Sequence, residues 1–192
     1  MEDKLVIAVI CGTKREGRQS IKAAKWVAEQ GRQLPGVEII FVDPKDFDLP
    51  PDGAPEDGEN PQFAEITKRA DAFYVVTPEY NHSIPSSLKR LLDSEFTNYK
   101  HKPVATAGVS NGPWGGVRVC EALLPVYHTM WMVPIKPELY FPKVQDMFDD
   151  AEQLKSEFTE MQTKNVQNAY KELIWMAKAL KTAAAAAQPA QG

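Results

Sequence analysis

Three short stretches of this chain hold residue types suited to gripping a ligand rather than to breaking a bond. The first is GTKREGRQS at Gly12–Ser20, which gathers Lys14, Arg15 and Arg18 with the hydroxyls of Thr13 and Ser20 just before an amphipathic run. A helix starting there offers unpaired N–H groups and partial positive charge, and an Arg fork binds phosphate oxygens in pairs. Gly12 and Gly17 let the main chain bend close to such an anion. The second stretch is TPEYNHSIPSSLKRLLD at Thr77–Asp93, directly after the apolar run FYVVT. Its Pro78, Glu79, Tyr80 and Asn81 offer an aromatic ring, an amide side chain and backbone N–H groups held by prolines, a set that suits a flat, heteroatom-rich ring. The third is SNGPWGGVR at Ser110–Arg118, where Gly115 and Gly116 allow close main-chain approach and Trp114 can cover an aromatic ligand. The plainer readings are a charged, solvated first loop and a tight helix-start turn with an exposed Trp in the third.

Other chemistries find less support. A nucleotide-triphosphate loop needs GxxxxGK[ST]; here Gly12 and Gly17 are followed by Arg18-Gln19, so the lysine and the magnesium-binding hydroxyl are missing. Lys14 occupies the second glycine of the dinucleotide fingerprint GxGxxG. No acid–base constellation stands out, and the three histidines (His82, His101 and His128) are too scattered for a metal site. Cys11 and Cys120 have no zinc or redox spacing and read as buried, inert thiols. Net charge of −4 argues against general nucleic-acid affinity. No apolar run approaches the roughly 20 residues of a membrane span. The start MEDKLVIAVICG lacks a signal-peptide pattern, so a cytoplasmic location is expected.

The elements that must position the three loops follow from hydrophobic patterning. Five runs read as strands buried on both faces: LVIAVIC (Leu5–Cys11), VEIIFV (Val37–Val42), FYVVT (Phe73–Thr77), VATAGV (Val104–Val109) and MVPI (Met132–Ile135). Between them fall helical stripes: Ile21, Ala24 and Ala28, ended by Gly31; Gln62–Ala70; Leu88, Leu91, Leu92 and Phe96, with Pro85 in the first turn; and Val117, Cys120, Leu124 and Tyr127. Tyr170, Leu173, Ile174, Ala177 and Leu180 make a last one. Strands alternating with helices predict an α/β three-layer sandwich: a five-stranded parallel sheet of order 2-1-3-4-5, the flavodoxin-like arrangement, in one domain over 1–182. The alanine-rich end, 183–192, is expected to be a frayed tail, and Asp43–Pro61 a long surface loop, of a kind that can also rim a site. In open α/β sheets ligands sit at the carboxyl ends of the strands, so the three loops should meet there and hold a molecule with a phosphate at one end and a planar ring at the other.

Taken together, G-T-x-R at Gly12–Arg15, P-E-Y-N at Pro78–Asn81, P-x-x-L-K-x-x-x-D at Pro85–Asp93 and S-x-G-x-x-G-G at Ser110–Gly116 resemble the NAD(P)H-dependent FMN reductases, the flavodoxin-like quinone, azo and chromate reductases. The resemblance runs from Leu5 to about Tyr127, and PEYN with its following helix is its specific part. It implies FMN as cofactor and NADPH or NADH as co-substrate. It places the phosphate on Thr13, Arg15, Arg18 and Ser20, with Gly12 and Gln19 also counted as cofactor-binding, and the isoalloxazine ring between Pro78, Glu79, Tyr80 and Asn81 on one side and Ser110, Gly112, Gly115 and Gly116 on the other. Many members have Ser at the position of Thr13. Several open the first helix with Ser-x-x-Asn, where this chain has Ile21-Lys22-Ala23 after Ser20, and Asn111–Trp114 differs from the commoner Gly-rich version.

The implied reaction is a ping-pong transfer of two electrons to a small-molecule acceptor: a quinone, an azo compound, a metal oxyanion or free flavin. It needs no dedicated nucleophile, since the flavin carries the hard chemistry. Tyr80 is expected either to stack on nicotinamide or acceptor or to pack the loop, and Glu79 to make a main-chain contact rather than donate a proton. A homodimer or homotetramer is implied as well. The rival readings are a flavodoxin-type electron carrier, disfavoured by the cationic first loop, and a flavin-dependent redox-sensing binding protein, for which no partner motif is visible.

Overall fold

A computed structural model describes residues 4–49, 60–136 and 138–187. Four strands, β1 (Leu5–Cys11), β2 (Val37–Val42), β3 (Ala72–Pro78) and β4 (Pro103–Val109), are joined by two short ones, β5 (Val133–Pro134) and β6 (Leu139–Phe141). The order is β2-β1-β3-β4-β5 with every pairing parallel. The expected order therefore holds, but the expected five strands are six, because the fifth position is shared. β5 pairs with Pro103 and Val104 at the start of β4, and β6 pairs with Ala107, Gly108 and Val109 at its end. Three residues without alternation give β6 no sequence signature.

β1, β3 and β4 are buried almost throughout, which is why they read as continuous apolar runs. Alternate β1 residues feed two cores. Ile7, Val9 and Cys11 meet α1 (Ser20–Arg32) and α6 (Ser156–Ala187), whereas Ala8 and Ile10 meet α2 (Pro61–Arg69), α3 (Ser86–Asp93) and α4 (Val117–Thr129). These are the three layers of the sandwich. A short α5 (Val144–Met147) follows β6 and joins the first core.

Several local expectations shift. Gly31 does not end α1: it is buried inside it, and a Cβ there would come within 2.5 Å of the Tyr170 hydroxyl, so it is the point at which α1 and α6 touch. α3 stops at Asp93, which leaves Phe96 off the stripe and 64% exposed, and Pro85 precedes the helix rather than entering its first turn. In α4 the buried face is Val119, Cys120, Leu123 and Tyr127, with Leu124 turned outward. α6 extends through Ala183–Ala187, so the first half of the expected tail is helical; alanine is the best helix former and the helix is already nucleated by its packed turns. Residues 188–192 lie outside the described residues, as do 50–59 in the middle of the expected long loop. What is described of that loop opens with a 3-10 turn at Pro44–Asp46, whose Lys45 N–H donates to the Asp43 side chain at 2.9 Å. Among the described residues no helix is long and apolar enough to cross a membrane.

Candidate functional site

The carboxyl ends of β1, β3 and β4 open onto a cavity of about 520 Å³, within the range of small-molecule sites. The loop after β1 lines it with Arg15, Arg18, Gln19 and Ser20; the loop after β3 with Pro78, Glu79, Tyr80 and Asn81; the loop after β4 with Ser110. Gly12, Thr13, Gly112, Gly115 and Gly116 do not line it.

At the β1 end, α1 begins at Ser20 and no side chain caps it. The Ser20 hydroxyl is buried and has no hydrogen-bond partner among the described residues. An orphaned buried hydroxyl costs about 1–3 kcal/mol unless a ligand satisfies it, and here it sits beside the open N–H groups of a helix start. Arg15 is exposed, with its guanidinium 5.5 Å from the centre of the Tyr80 ring. Arg18 is used differently: it forks across both carboxylate oxygens of Asp43 and donates to the Thr13 carbonyl. The Thr13 hydroxyl lies 3.3 Å from the Tyr80 hydroxyl and accepts the Arg15 N–H at 3.3 Å, so it ties the first loop to the second instead of facing the cavity.

At the other end, Tyr80 and Ser83 exchange two backbone hydrogen bonds of 3.1 and 2.9 Å around Asn81 (φ 49°) and His82 (φ 62°). This is a two-residue hairpin turn of the kind that requires positive φ at both centres. Asn tolerates that conformation; His does so at a cost, and such local strain concentrates at functional sites. Glu79 has the main-chain role expected of it: its carboxylate accepts the Arg118 N–H at 3.1 Å in the first turn of α4, with the Arg118 guanidinium 3.6 Å away. Its own N–H donates to Val109 and extends the β3–β4 ladder.

The loop after β4 is braced from within and from behind. The Ser110 hydroxyl donates to the Gly112 carbonyl at 2.8 Å and accepts the Gly115 N–H at 2.9 Å. The Ser110 N–H donates to Phe141 of β6, and the Ser110 carbonyl accepts from Val144 of α5. Gly115 and Gly116 do allow close approach, but to protein: a Cβ on Gly116 would lie 2.5 Å from the Val109 nitrogen, and one on Gly115 2.8 Å from the Tyr140 Cβ. Gly12 is likewise pressed against Thr77 of β3. Trp114 is 68% exposed and outside the lining. Gly17, singled out for its freedom to bend near an anion, lines the cavity too, and lining residues that the motifs did not flag are Glu16, Val109, Asn111 and Val144. Asn111 sits inside a motif and was within reach of the reading; Val144 belongs to α5, which no periodicity marks. Cys11 and Cys120 are both buried, and burial pushes their thiols up to about 11 and about 12, as expected of inert cysteines.

The family model described as NADPH-dependent FMN reductase matches residues 5–146. The chain belongs to the NADPH-dependent FMN reductase family. Among individual relatives, this FMN reductase-family chain is 32% identical over 160 residues to an NAD(P)H-dependent FMN reductase of Schizosaccharomyces pombe, covering 76% of this chain and 79% of that protein. It is 29% identical over 159 residues to a quinone reductase of Pseudomonas putida, covering 77% and 83%. The fold matches the flavoenzyme NAD(P)H:(acceptor) oxidoreductase FerB of Paracoccus denitrificans with a TM-score of 0.72 at 22% identity, covering 91% of this chain and 98% of that one. Membership makes the protein an oxidoreductase and brings FMN with it, NAD(P)H being the co-substrate. The residues present fit that cofactor. An orphaned hydroxyl and an uncapped helix N-terminus stand ready for the phosphate, and the loops after β3 and β4 offer main chain to a flat ring.

Proposed function

We propose that this protein passes two electrons from NADPH or NADH, through bound FMN, to quinones or similar acceptors (azo compounds, metal oxyanions, free flavin) in a ping-pong cycle. The observation that carries the reading is the unpartnered, buried Ser20 hydroxyl at an uncapped helix start, inside the cavity that the β3 and β4 loops also line. When bound, FMN supplies the redox chemistry, accepting a hydride from reduced nicotinamide and giving two electrons to the acceptor in a separate half-reaction.

The chain's own residues bind and orient. Ser20, Gln19 and the first N–H groups of α1 would hold the phosphate, with Arg15 adding a mobile charge-assisted contact. Pro78, Glu79, Tyr80 and Asn81 would lie along one side of the ring and Ser110 and Asn111 along the other. Glu79 acts through structure: by capping α4 it locks the β3 loop to the β4 loop, so the two sides of the ring slot keep one spacing. The hairpin turn at Asn81-His82 fixes where Tyr80 and Asn81 present themselves, and leaves the His82 side chain exposed. No residue is asked to exchange a proton, in keeping with the absence of an acid–base constellation in the sequence.

The subunit assembly, a homodimer or homotetramer, is part of the proposal. Family kinship supports it, as does the exposed Trp114 ring beside the β4 loop, an apolar surface that a second copy would cover. A monomeric mass by light scattering at micromolar concentration would remove it. The reaction is tested by the absorption spectrum of the purified protein during anaerobic addition of NADPH. The expected result is a yellow protein that bleaches with NADPH and recovers on adding a quinone, with parallel double-reciprocal plots. A colourless protein that takes up no FMN would overturn the reading.

A further inference from the structure

The loop after β1 carries three cations, and the fold deploys them unequally. Arg15 is exposed, Lys14 is exposed with its backbone N–H on Ser87 Oγ, and Arg18 is enclosed. The Arg18 and Asp43 side chains are only 10% and 15% exposed. Arg18 Nη1 donates to Asp43 Oδ1 at 2.9 Å, Nη2 donates to Oδ2, and Nη1 also reaches the Thr13 carbonyl. Asp43 in turn is anchored by the 3-10 turn after β2, whose Lys45 N–H donates to Oδ1. A second pin runs alongside, from Lys45 Nζ to Glu16 at 2.7 Å.

We infer that Arg18 and Asp43 are a positioning pair, which fastens the turn after β2 onto the phosphate loop and presents Ser20, Arg15 and the α1 N-terminus to FMN, and that Arg18 is not itself a phosphate ligand. The inference rests on the FMN reading above and departs at one residue, Arg18, from the phosphate set that the family resemblance implies. Its physical basis is the cost of the alternative. Turning Arg18 toward a phosphate would leave the Asp43 carboxylate largely enclosed and stripped of its cation. Breaking such a pair costs more than one new charge-assisted bond returns. The fork also neutralises the Asp43 carboxylate, an anion held directly behind a residue that lines the cavity.

The two roles predict opposite signs for one substitution. If Arg18 were a phosphate ligand held back by Asp43, then Asp43→Asn would release it and tighten FMN. If the pair positions the loop, Asp43→Asn loosens it and weakens FMN. The experiment is calorimetric titration of the apoprotein with FMN and, separately, with riboflavin, which lacks the phosphate. For Asp43→Asn we expect a loss of FMN affinity of about tenfold or more, with riboflavin affinity unchanged. Arg18→Ala should give a similar loss, and the double variant one no larger than either single.

Tighter FMN binding by Asp43→Asn, equal losses for both flavins, or fully additive losses would each overturn the inference. Should Asp43→Asn fail to fold, Arg18→Lys decides. It keeps the charge but cannot fork, so it is read together with Asp43→Glu, which keeps the carboxylate but misplaces the fork: a phosphate-selective loss in both supports the pair, and undiminished or tighter FMN binding by Asp43→Glu overturns it. The wild-type titration separates the two levels: no FMN uptake by wild type sinks the functional reading and this inference together, whereas normal uptake with a wrong sign in Asp43→Asn sinks only the inference.

Discussion

The two ends of the cavity are built on different principles. At the end proposed for the phosphate the available groups are side chains and the N–H groups of the α1 start, and one buried hydroxyl, that of Ser20, has no hydrogen-bond partner among the described residues. The wall behind them is ionic: Arg18 on Asp43 and Lys45 on Glu16. At the end proposed for the ring, the polar groups that brace the loops are already paired. Ser110 bonds within its own loop, Glu79 caps α4, and Tyr80 and Ser83 close a turn. The contrast teaches that charge recognition leaves chemical groups open, whereas shape recognition spends its polar groups on holding the main chain in place. Damage to the first end should therefore be selective for the phosphate. Damage to the second should be indifferent to it.

The sharpest way to break this comparison is at the ring end. Gly116→Ala places a Cβ 2.5 Å from the Val109 nitrogen at φ +83°, and should cost about 3 kcal/mol in urea unfolding, with FMN and riboflavin weakened together. A loss confined to FMN would contradict the division. At the phosphate end, Arg15→Ala should weaken FMN by about 1.5–3 kcal/mol in calorimetry and leave riboflavin alone; an unchanged FMN dissociation constant would remove Arg15 from the site. Ser20→Ala is smaller but more telling, because two signs oppose. The apoprotein should be as stable or slightly more so, having lost an unsatisfied buried hydroxyl, while FMN binds about 1 kcal/mol more weakly. A destabilised apoprotein would show that the hydroxyl has a partner after all. Smallest is His82→Gly, which relieves a positive φ at the turn and should stabilise the protein by about 0.5–1 kcal/mol in thermal unfolding, with FMN affinity unchanged. A weakened flavin complex there would mean that the His82 side chain touches the ring slot.

The same contrast explains what was legible in the sequence. Residues that line the cavity largely announce themselves by type: Arg15, Ser20, Tyr80, Asn81 and Ser110 stand out in motifs, and all of them line it. The glycines are harder to read, because a glycine marks a close approach without saying to what. Gly12, Gly115 and Gly116 press against strands, and Gly31 presses against Tyr170. Arg18 is only half legible for a related reason: its cation is visible in sequence and it lines the cavity, but its partner Asp43 lies 25 residues away. β1, β3 and β4 were readable because burial on both faces writes a continuous apolar run. β6 and α5 were not, since each is too short to establish a period, and their places are set by the long-range bonds of Ser110 to Phe141 and Val144. In α4 the apolar residues nearly surround the helix, so periodicity alone did not choose Leu123 over Leu124.

The divided outer lane of the sheet ties two duties to one stretch of chain. β5 completes the far end of the scaffold, while β6 and α5 complete the near end and reach the pocket wall at Val144. Leu139, Phe141, Val144 and Met147 are also buried in the core beside β1 and β4. Exchanging residues 139–147 for the matching segment of a relative would therefore recontour one side of the cavity only if those four positions stayed apolar and close in volume.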